Sequence, residues 1–310
     1  MKTKIWIALI ALYIVWGSTY LAIRFAVETI PPFLHASLRF LISGAILYIW
    51  RRTAGDEAPT WNNWKSTAIV GAALLLGGNG LVAWAEQTVP SGIAALMIST
   101  SPFWLVLFEA FRAGGGRPTW QAIAGLIMGF GGVFLLIGPA EILGTTHSFS
   151  TFGIMLLLLA PIFWSMGSIY ARGADMPKST LLGTGMEMLA GAVALLIVSL
   201  VKGELHGFSI ADVSMRSWLG LAYLITFGSL IGFVSYGYLL HNAPVSLMST
   251  YAYVNPVVAV FLGWLLANEE LNARIGIASA IIVGSVILIN STRQLKVKTE
   301  PLQAVPDGDD

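Results

Sequence analysis

The sequence predicts an all-α integral membrane protein, with ten transmembrane helices arranged as two inverted five-helix repeats. Three observations carry this. Only 17 basic and 16 acidic residues occur in 310, so charged residues make up 11% of a chain where soluble proteins run near ~25%. Apolar residues reach 56% with a mean hydropathy of +0.77, more apolar surface than a globule of this size can hide from water. Third, the chain aligns with itself in two registers that together relate the first five apolar runs to the second five.

About 20 mainly apolar residues cross roughly 30 Å of hydrocarbon, and ten such runs follow one another. The first, Ile5 to Ile23, follows Met1-Lys2-Thr3-Lys4 like a signal peptide. It contains Trp6, Tyr13 and Trp16, lacks a small-residue cleavage site and runs on too long, so it reads as a retained helix. Pro31-Pro32 separates it from Phe33 to Trp50, and the charged stretch around Arg51, Arg52 and Lys65 precedes Ser66 to Ala85. Ser91 to Phe111 follows Pro90, and Gly114-Gly115-Gly116 breaks the chain before Thr119 to Gly138. The second five are Ser150 to Tyr170, Thr180 to Val201 after Met176-Pro177, Trp218 to Leu240, Val245 to Ala267 after Asn242-Ala243-Pro244, and Arg274 to Ile289. From Arg293 the chain mixes Lys296 and Lys298 with Pro301, Pro306 and Asp307-Gly308-Asp309-Asp310, which has nothing to bury and predicts a disordered cytoplasmic tail over 293–310.

With a net charge of +1 and no long basic run, nothing points to nucleic acid. The absence of cysteine removes disulfides and thiolate metal sites. No catalytic residue, metal site or cofactor is expected; the expected partners are lipid and a small-molecule substrate. With a cytoplasmic N-terminus, twelve of the 17 basic residues fall on the cytoplasmic side and only Arg24, Lys202, Arg216 and Arg274 on the other, with Arg39 inside a span. That asymmetry predicts both termini cytoplasmic in a multi-pass protein.

A shift of 148 residues lays Trp16 on Trp164, Arg24 on Arg172 and Arg39 on Glu187. A shift of 154 lays Pro90 and Pro102 on Pro244 and Pro256. The implied repeats are 1–146 and 147–292. Because each holds five spans, an odd number, the second enters the bilayer from the opposite side, the arrangement that secondary transporters use to alternate around a central site.

Trp16-Gly17-Ser18-Thr19, Asn79-Gly80, Val89-Pro90-Ser91-Gly92-Ile93-Ala94-Ala95 and Tyr251-Ala252-Tyr253-Val254-Asn255-Pro256-Val257-Val258-Ala259, with Gly263 and Glu269 following, resemble the EamA family of the drug/metabolite transporter (DMT) superfamily, most closely its YedA-like bacterial inner-membrane members. The resemblance covers Ile5 to about Ile289. It implies the ten-helix DMT/EamA fold, a cavity lined by helices 1, 3, 4, 6, 8 and 9, and export of amino acids or other small metabolites. In one respect the chain departs from the pattern: Glu269 stands 13 residues beyond Pro256, while the matching place in the first half is Gly115.

Polar and aromatic residues deep in the spans are the substrate-cavity candidates: Trp16, Thr19 and Tyr20 in helix 1, Asn79 and Trp84 in helix 3, Ser99 and Ser101 in helix 4, Trp164 and Ser168 in helix 6, and Tyr251, Tyr253 and Asn255 in helix 9. Aromatic walls with hydroxyl and amide tips suit a small amphipathic solute. Pro102 and Pro256 break the helix ladder and each leaves a carbonyl without its usual donor. An ionisable group in hydrocarbon costs about 3 kcal/mol on insertion scales, which marks Arg39 and Glu187 as gating or coupling candidates. Their depths differ by roughly 10 Å at about 1.5 Å rise per residue, so a direct pair requires tilt or long reach. Glu86 and His35 are further coupling candidates, expected at the water-exposed outer ends of their helices.

Gly125, Gly129, Gly131 and Gly132, with Gly276, Ala280, Gly284 and Ser285, give helices 5 and 10 small faces, read as scaffold or as a homodimer contact. The rival functions are a multidrug exporter of the same family, a membrane-embedded enzyme, and a channel or scaffold protein. The four His residues are widely separated and no acidic pair or H-E-x-x-H appears within a span, which counts against the enzyme.

Overall fold

The computed structural model describes residues 2–111, 119–137, 150–243 and 250–299. Among these residues the secondary structure is entirely helical. The membrane helices are α1 (Lys2–Ala26), α2 (Pro32–Thr53), α3 (Trp61–Ala85), α4 (Ser91–Ile98 and Ser101–Phe111), α5 (Trp120–Ile137), α6 (Thr151–Ala171), α7 (Thr180–Val201), α8 (215–242), α9 (Tyr251–Ala267) and α10 (Ala273–Thr299). Eight are long and apolar enough to cross a bilayer, and Tyr251–Ala267 and Ala273–Ile289 are shorter apolar helices. The apolar runs therefore mark all ten. Helix α10 continues through Arg293 to Thr299, because Gln294 to Lys298 contains no Pro or Gly to stop it, so the unstructured tail expected from Arg293 does not begin there. Residues 300–310, the triple glycine at 114–116 and Pro244 to Ser249 lie outside the described residues.

Helix starts divide into two kinds. Thr60, Ser150, Ser179 and Ser214 each accept a hydrogen bond from a backbone N–H in the first turn of α3, α6, α7 and α8, satisfying a donor the helix itself leaves free. Helices α2 and α4 begin instead at Pro31 and Pro90, whose fixed φ suits a helix start but whose side chains accept nothing. Carboxylates from distant loops fill that gap. Glu204 accepts from Leu34 N at 2.9 Å and, more weakly, from Phe33 N at 3.4 Å. Glu269 accepts from Ser91 N at 2.7 Å, Ser91 Oγ at 2.8 Å and Gly92 N at 2.9 Å.

Close approach in the interior depends on glycine. Gly44 and Gly185 sit where α2 crosses α7: a Cβ on Gly44 would lie 2.8 Å from Met188 Cβ. Gly71 and Gly191 serve the α3–α7 crossing, where a Cβ on Gly71 would strike the Glu187 carbonyl. The small faces of α5 and α10 are spent on each other, since a Cβ on Gly125 would meet Ile289 at 2.6 Å and one on Gly132 would meet Ile282 at 2.8 Å. Gly131 alone of that group in α5 faces open space. Outside the bundle, Ile7, Ile10 and Ile14 on α1 and Ile123, Ile127 and Phe134 on α5 are exposed, the apolar belt a bilayer solvates.

Two segments wind more widely than an α-helix. Ala72–Gly80 in α3 and Leu224–Ile231 in α8 are π-helical, one in each half of the chain. Such turns shift the phase of the helix and free backbone groups, a frequent accompaniment of functional sites.

Candidate substrate cavity

A cavity of about 190 Å³ lies inside the bundle, with walls from α1, α2, α3, α4, α6, α8 and α9. A water needs only about 15 Å³, so this space suits one small solute or many waters. Nine of the residues singled out for it meet there: Trp16, Thr19, Tyr20, Asn79, Ser99, Ser101, Trp164, Tyr251 and Asn255. Pro102, Pro256 and Arg39 join them. Residue spacing did not point to the remaining walls, among them Phe40, Val82, Ala160 and Phe233.

The aromatic wall is built around Trp16. Its ring stacks on Tyr236 at 5.4 Å and meets Phe233 and Tyr251 edge-on at 5.4 and 5.3 Å, while its Nε1 donates to the Gly228 carbonyl at 3.2 Å. Such offset and edge arrangements are what the ring quadrupole favours, and they hold the wall rigid.

The break in α4 is bridged by hydroxyls. Ser99, Thr100 and Ser101 hydroxyls donate back to the Leu96, Met97 and Ile98 carbonyls at 2.7, 2.6 and 2.6 Å. The Ile98 carbonyl is the one that Pro102 leaves without a backbone donor, so Ser101 supplies the missing bond. These hydroxyls can still accept from a solute. Ser165 from α6 donates to the Ser101 carbonyl at 3.0 Å and ties the break to the neighbouring helix. Pro256 sits inside α9, where it offers no N–H to Ala252, itself a cavity wall.

Arg39 is 4% exposed and its Nε donates to Ser229 Oγ at 3.0 Å. Its guanidinium carbon lies 4.7 Å from the centre of the Phe40 ring. Ser229 belongs to the π-helical turn of α8, a partner that residue spacing gave no means of finding.

Six candidates lie elsewhere. Trp84 packs on Phe33 and Phe152, with the Lys202 ammonium 3.3 Å from its ring centre. Tyr253 is one helical step past Ala252 and packs instead on the cluster around Phe103 and Val106. Ser168 is a full turn beyond Trp164 and donates back to its carbonyl at 2.7 Å. Glu187 is half-buried on α7 within electrostatic range of Tyr236, and no ion pair joins it to Arg39 among the described residues.

His35 and Glu86 are not water-exposed as expected, being 1% and 2% exposed. The turn after α7 explains the first, for Glu204 caps α2 and Lys202 lies over Phe33 and Trp84, covering the helix end. Glu86, in the turn between α3 and α4, lies among Arg24, Tyr20, Arg39 and Glu269. Both of its oxygens lack a hydrogen-bond partner. Burial, and then the nearby Glu269 carboxylate, hold its carboxyl well above the usual range.

Near Glu86 the two halves are pinned together at this end of the bundle. Arg24 Nε stands 3.6 Å from Glu269 Oε1 and Arg24 Nη1 donates to the Val89 carbonyl at 3.3 Å, beside the Glu269 cap on α4. At the opposite end, Arg51 grips Asp56 at 2.7 and 2.9 Å and Lys178 pairs with Glu57 at 2.9 Å, joining the α2–α3 loop to the turn before α7.

Comparison with known proteins places the chain among transporters. The model of the EamA-like transporter family matches residues 3–138 and again 151–291. The chain is 37% identical over 289 residues to the uncharacterized inner membrane transporter YedA of Escherichia coli (strain K12), covering 93% of this chain and 91% of that protein. It is 26% identical over 290 residues to a probable terminal-alkyne amino-acid exporter of Streptantibioticus cattleyicolor, covering 94% of each. A solved crystal structure of a protein matches with a TM-score of 0.62 at 22% identity, over 93% of this chain and 98% of that one, a likeness of fold.

Proposed function

The chain belongs to the EamA-like transporter family, and from that premise we propose that it exports small amphipathic solutes, amino acids foremost, across the bacterial inner membrane by alternating access. The observation that carries this reading is the cavity itself: it lies between helices of both halves and combines an aromatic wall with amide, hydroxyl and guanidinium groups. The name of the probable amino-acid exporter among its relatives agrees with the solute class and the direction.

In this account residues 1–146 and 147–292 are inverted repeats that rock about the cavity. The basic residues concentrated on one side support a cytoplasmic placement of both termini. The Arg24–Glu269 end is then periplasmic, and its cap on α4 shuts the cavity from outside while solute enters from the cytoplasm. Opening exchanges that cap for water and exposes the cavity outward.

Cells overproducing the protein and fed a dipeptide test this by the rate at which the liberated amino acid reaches the medium. Faster release than from cells producing an Ala95→Trp variant, which fills the cavity, is expected. Equal release for every amino acid and analogue offered refutes the export reading.

A further inference from the structure

Arg39 enters the cavity with most of its donors uncommitted. Ser229 takes Nε, the Phe40 ring supports one face, and neither terminal nitrogen has a hydrogen-bond acceptor among the described residues. No carboxylate among those residues reaches ion-pair distance, and Glu86 acts on Arg39 only through space. A guanidinium held in a low-dielectric wall needs a counter-charge, and its planar fork fits a carboxylate with two parallel bonds.

A second, independent observation lies on the other half of the chain. Asn255 on α9 is 8% exposed, lines the same cavity, and its Oδ1 is buried with no partner. One turn earlier is Ala252, whose carbonyl Pro256 cannot satisfy by the usual helical bond. An acceptor without a donor in an apolar cavity fits a cation with N–H groups. Trp16, Tyr20 and Tyr251 offer apolar area to whatever joins the two ends.

We infer that Arg39 and Asn255 are an anchor pair for a zwitterion, Arg39 taking the carboxylate and Asn255 the ammonium of an α-amino acid whose apolar side chain rests on the aromatic wall. This rests on the reading of the cavity as the transport site. Each anchor sits on a different half, so the solute bridges the two bodies that must move. A solute lacking either charge leaves one buried polar group unpaired, which makes the site selective as well as adhesive.

The test is competition against labelled leucine counterflow in proteoliposomes, using leucine, isoamylamine (no carboxylate) and 4-methylvalerate (no ammonium). Wild-type protein should favour leucine over either analogue by roughly ten- to a hundredfold, the range for hydrogen bonds to charged groups. Arg39→Gln should lose the preference over the amine while Arg39→Lys retains part of it, and Asn255→Ala should lose the preference over the acid. Size-exclusion profiles establish that each variant is folded. If Arg39→Gln does not fold, the wild-type and Asn255→Ala profiles decide. A wild type that carries the amine or the acid as well as leucine overturns the anchor pair and leaves transport standing; one that carries none of the three overturns both.

Discussion

Replacing Glu269 with Gln should open the Arg24–Glu269 end of the bundle, the outer end under the proposed orientation. The carboxylate accepts three hydrogen bonds of 2.7 to 2.9 Å at the start of α4. Gln keeps one acceptor oxygen, so at least one charge-assisted bond is lost, at about 1.5–3 kcal/mol. The negative charge facing a helix N-terminus is worth roughly 0.3–1 kcal/mol more. Arg24 adds about 0–1 kcal/mol at most, being 3.6 Å away and one-third exposed. The sum, about 2–5 kcal/mol, shifts the closed-to-open ratio by roughly 30- to 5,000-fold. The chain has no cysteine, so Ala95→Cys in the cavity wall gives a probe without background. Its labelling by a membrane-impermeant maleimide from the periplasmic side should accelerate by at least about 30-fold when Glu269→Gln is added. A rate unchanged in folded protein would show that the cap does not hold this end shut.

Glu86→Gln should flatten a pH dependence. Because the folded carboxyl titrates well above its unfolded range, the native state binds the extra proton, and wild-type stability falls as pH rises above about 4.5. The variant should therefore gain in Tm relative to wild type from about pH 4.5 to 7, and parallel curves would contradict the buried, unpartnered carboxyl. Asp56 behaves oppositely: hydrogen bonds from Arg51 and Ser179 hold it down at about 2, so its contribution is complete above its unfolded pKa and is lost as pH falls from there through about 2. The Tm difference between wild type and Asp56→Asn should stay constant between about pH 5 and 8, and a difference that grows or shrinks there counts against the Arg51 clasp. Gly71→Ala should cost about 1–3 kcal/mol by wedging α3 from α7, visible as a lower Tm in detergent, and an unchanged Tm would mean that the crossing is looser than described.

The spans were legible because lipid imposes one requirement on every residue they contain, and Pro31-Pro32, Pro90 and Met176-Pro177 mark the breaks without ambiguity. Arg39 was legible for the same reason, as a charge where charge is costly. Rotation about each helix axis was much less so. Trp84 and Tyr253 are aromatic and deep enough, yet a step of about 100° per residue turns them away from Asn79 and Asn255. The π-helical turns of α3 and α8 add a phase shift that no 3.6-residue template contains. Contacts between distant segments were hidden altogether: Glu204 capping α2, Glu269 capping α4 and Ser229 bonding Arg39 are each more than 150 positions from their partners. For that reason His35 and Glu86 were expected at the water surface, when loops from the second half cover them.

Transport by this chain requires a solute that passes through the central cavity, and counterflow tests this most directly. Proteoliposomes holding wild-type protein and a high internal concentration of unlabelled leucine should take up labelled leucine transiently above equilibrium, and Ala95→Trp, with the cavity filled, should not. Overshoot that persists at full size in the folded Ala95→Trp variant would place the pathway elsewhere and contradict the account.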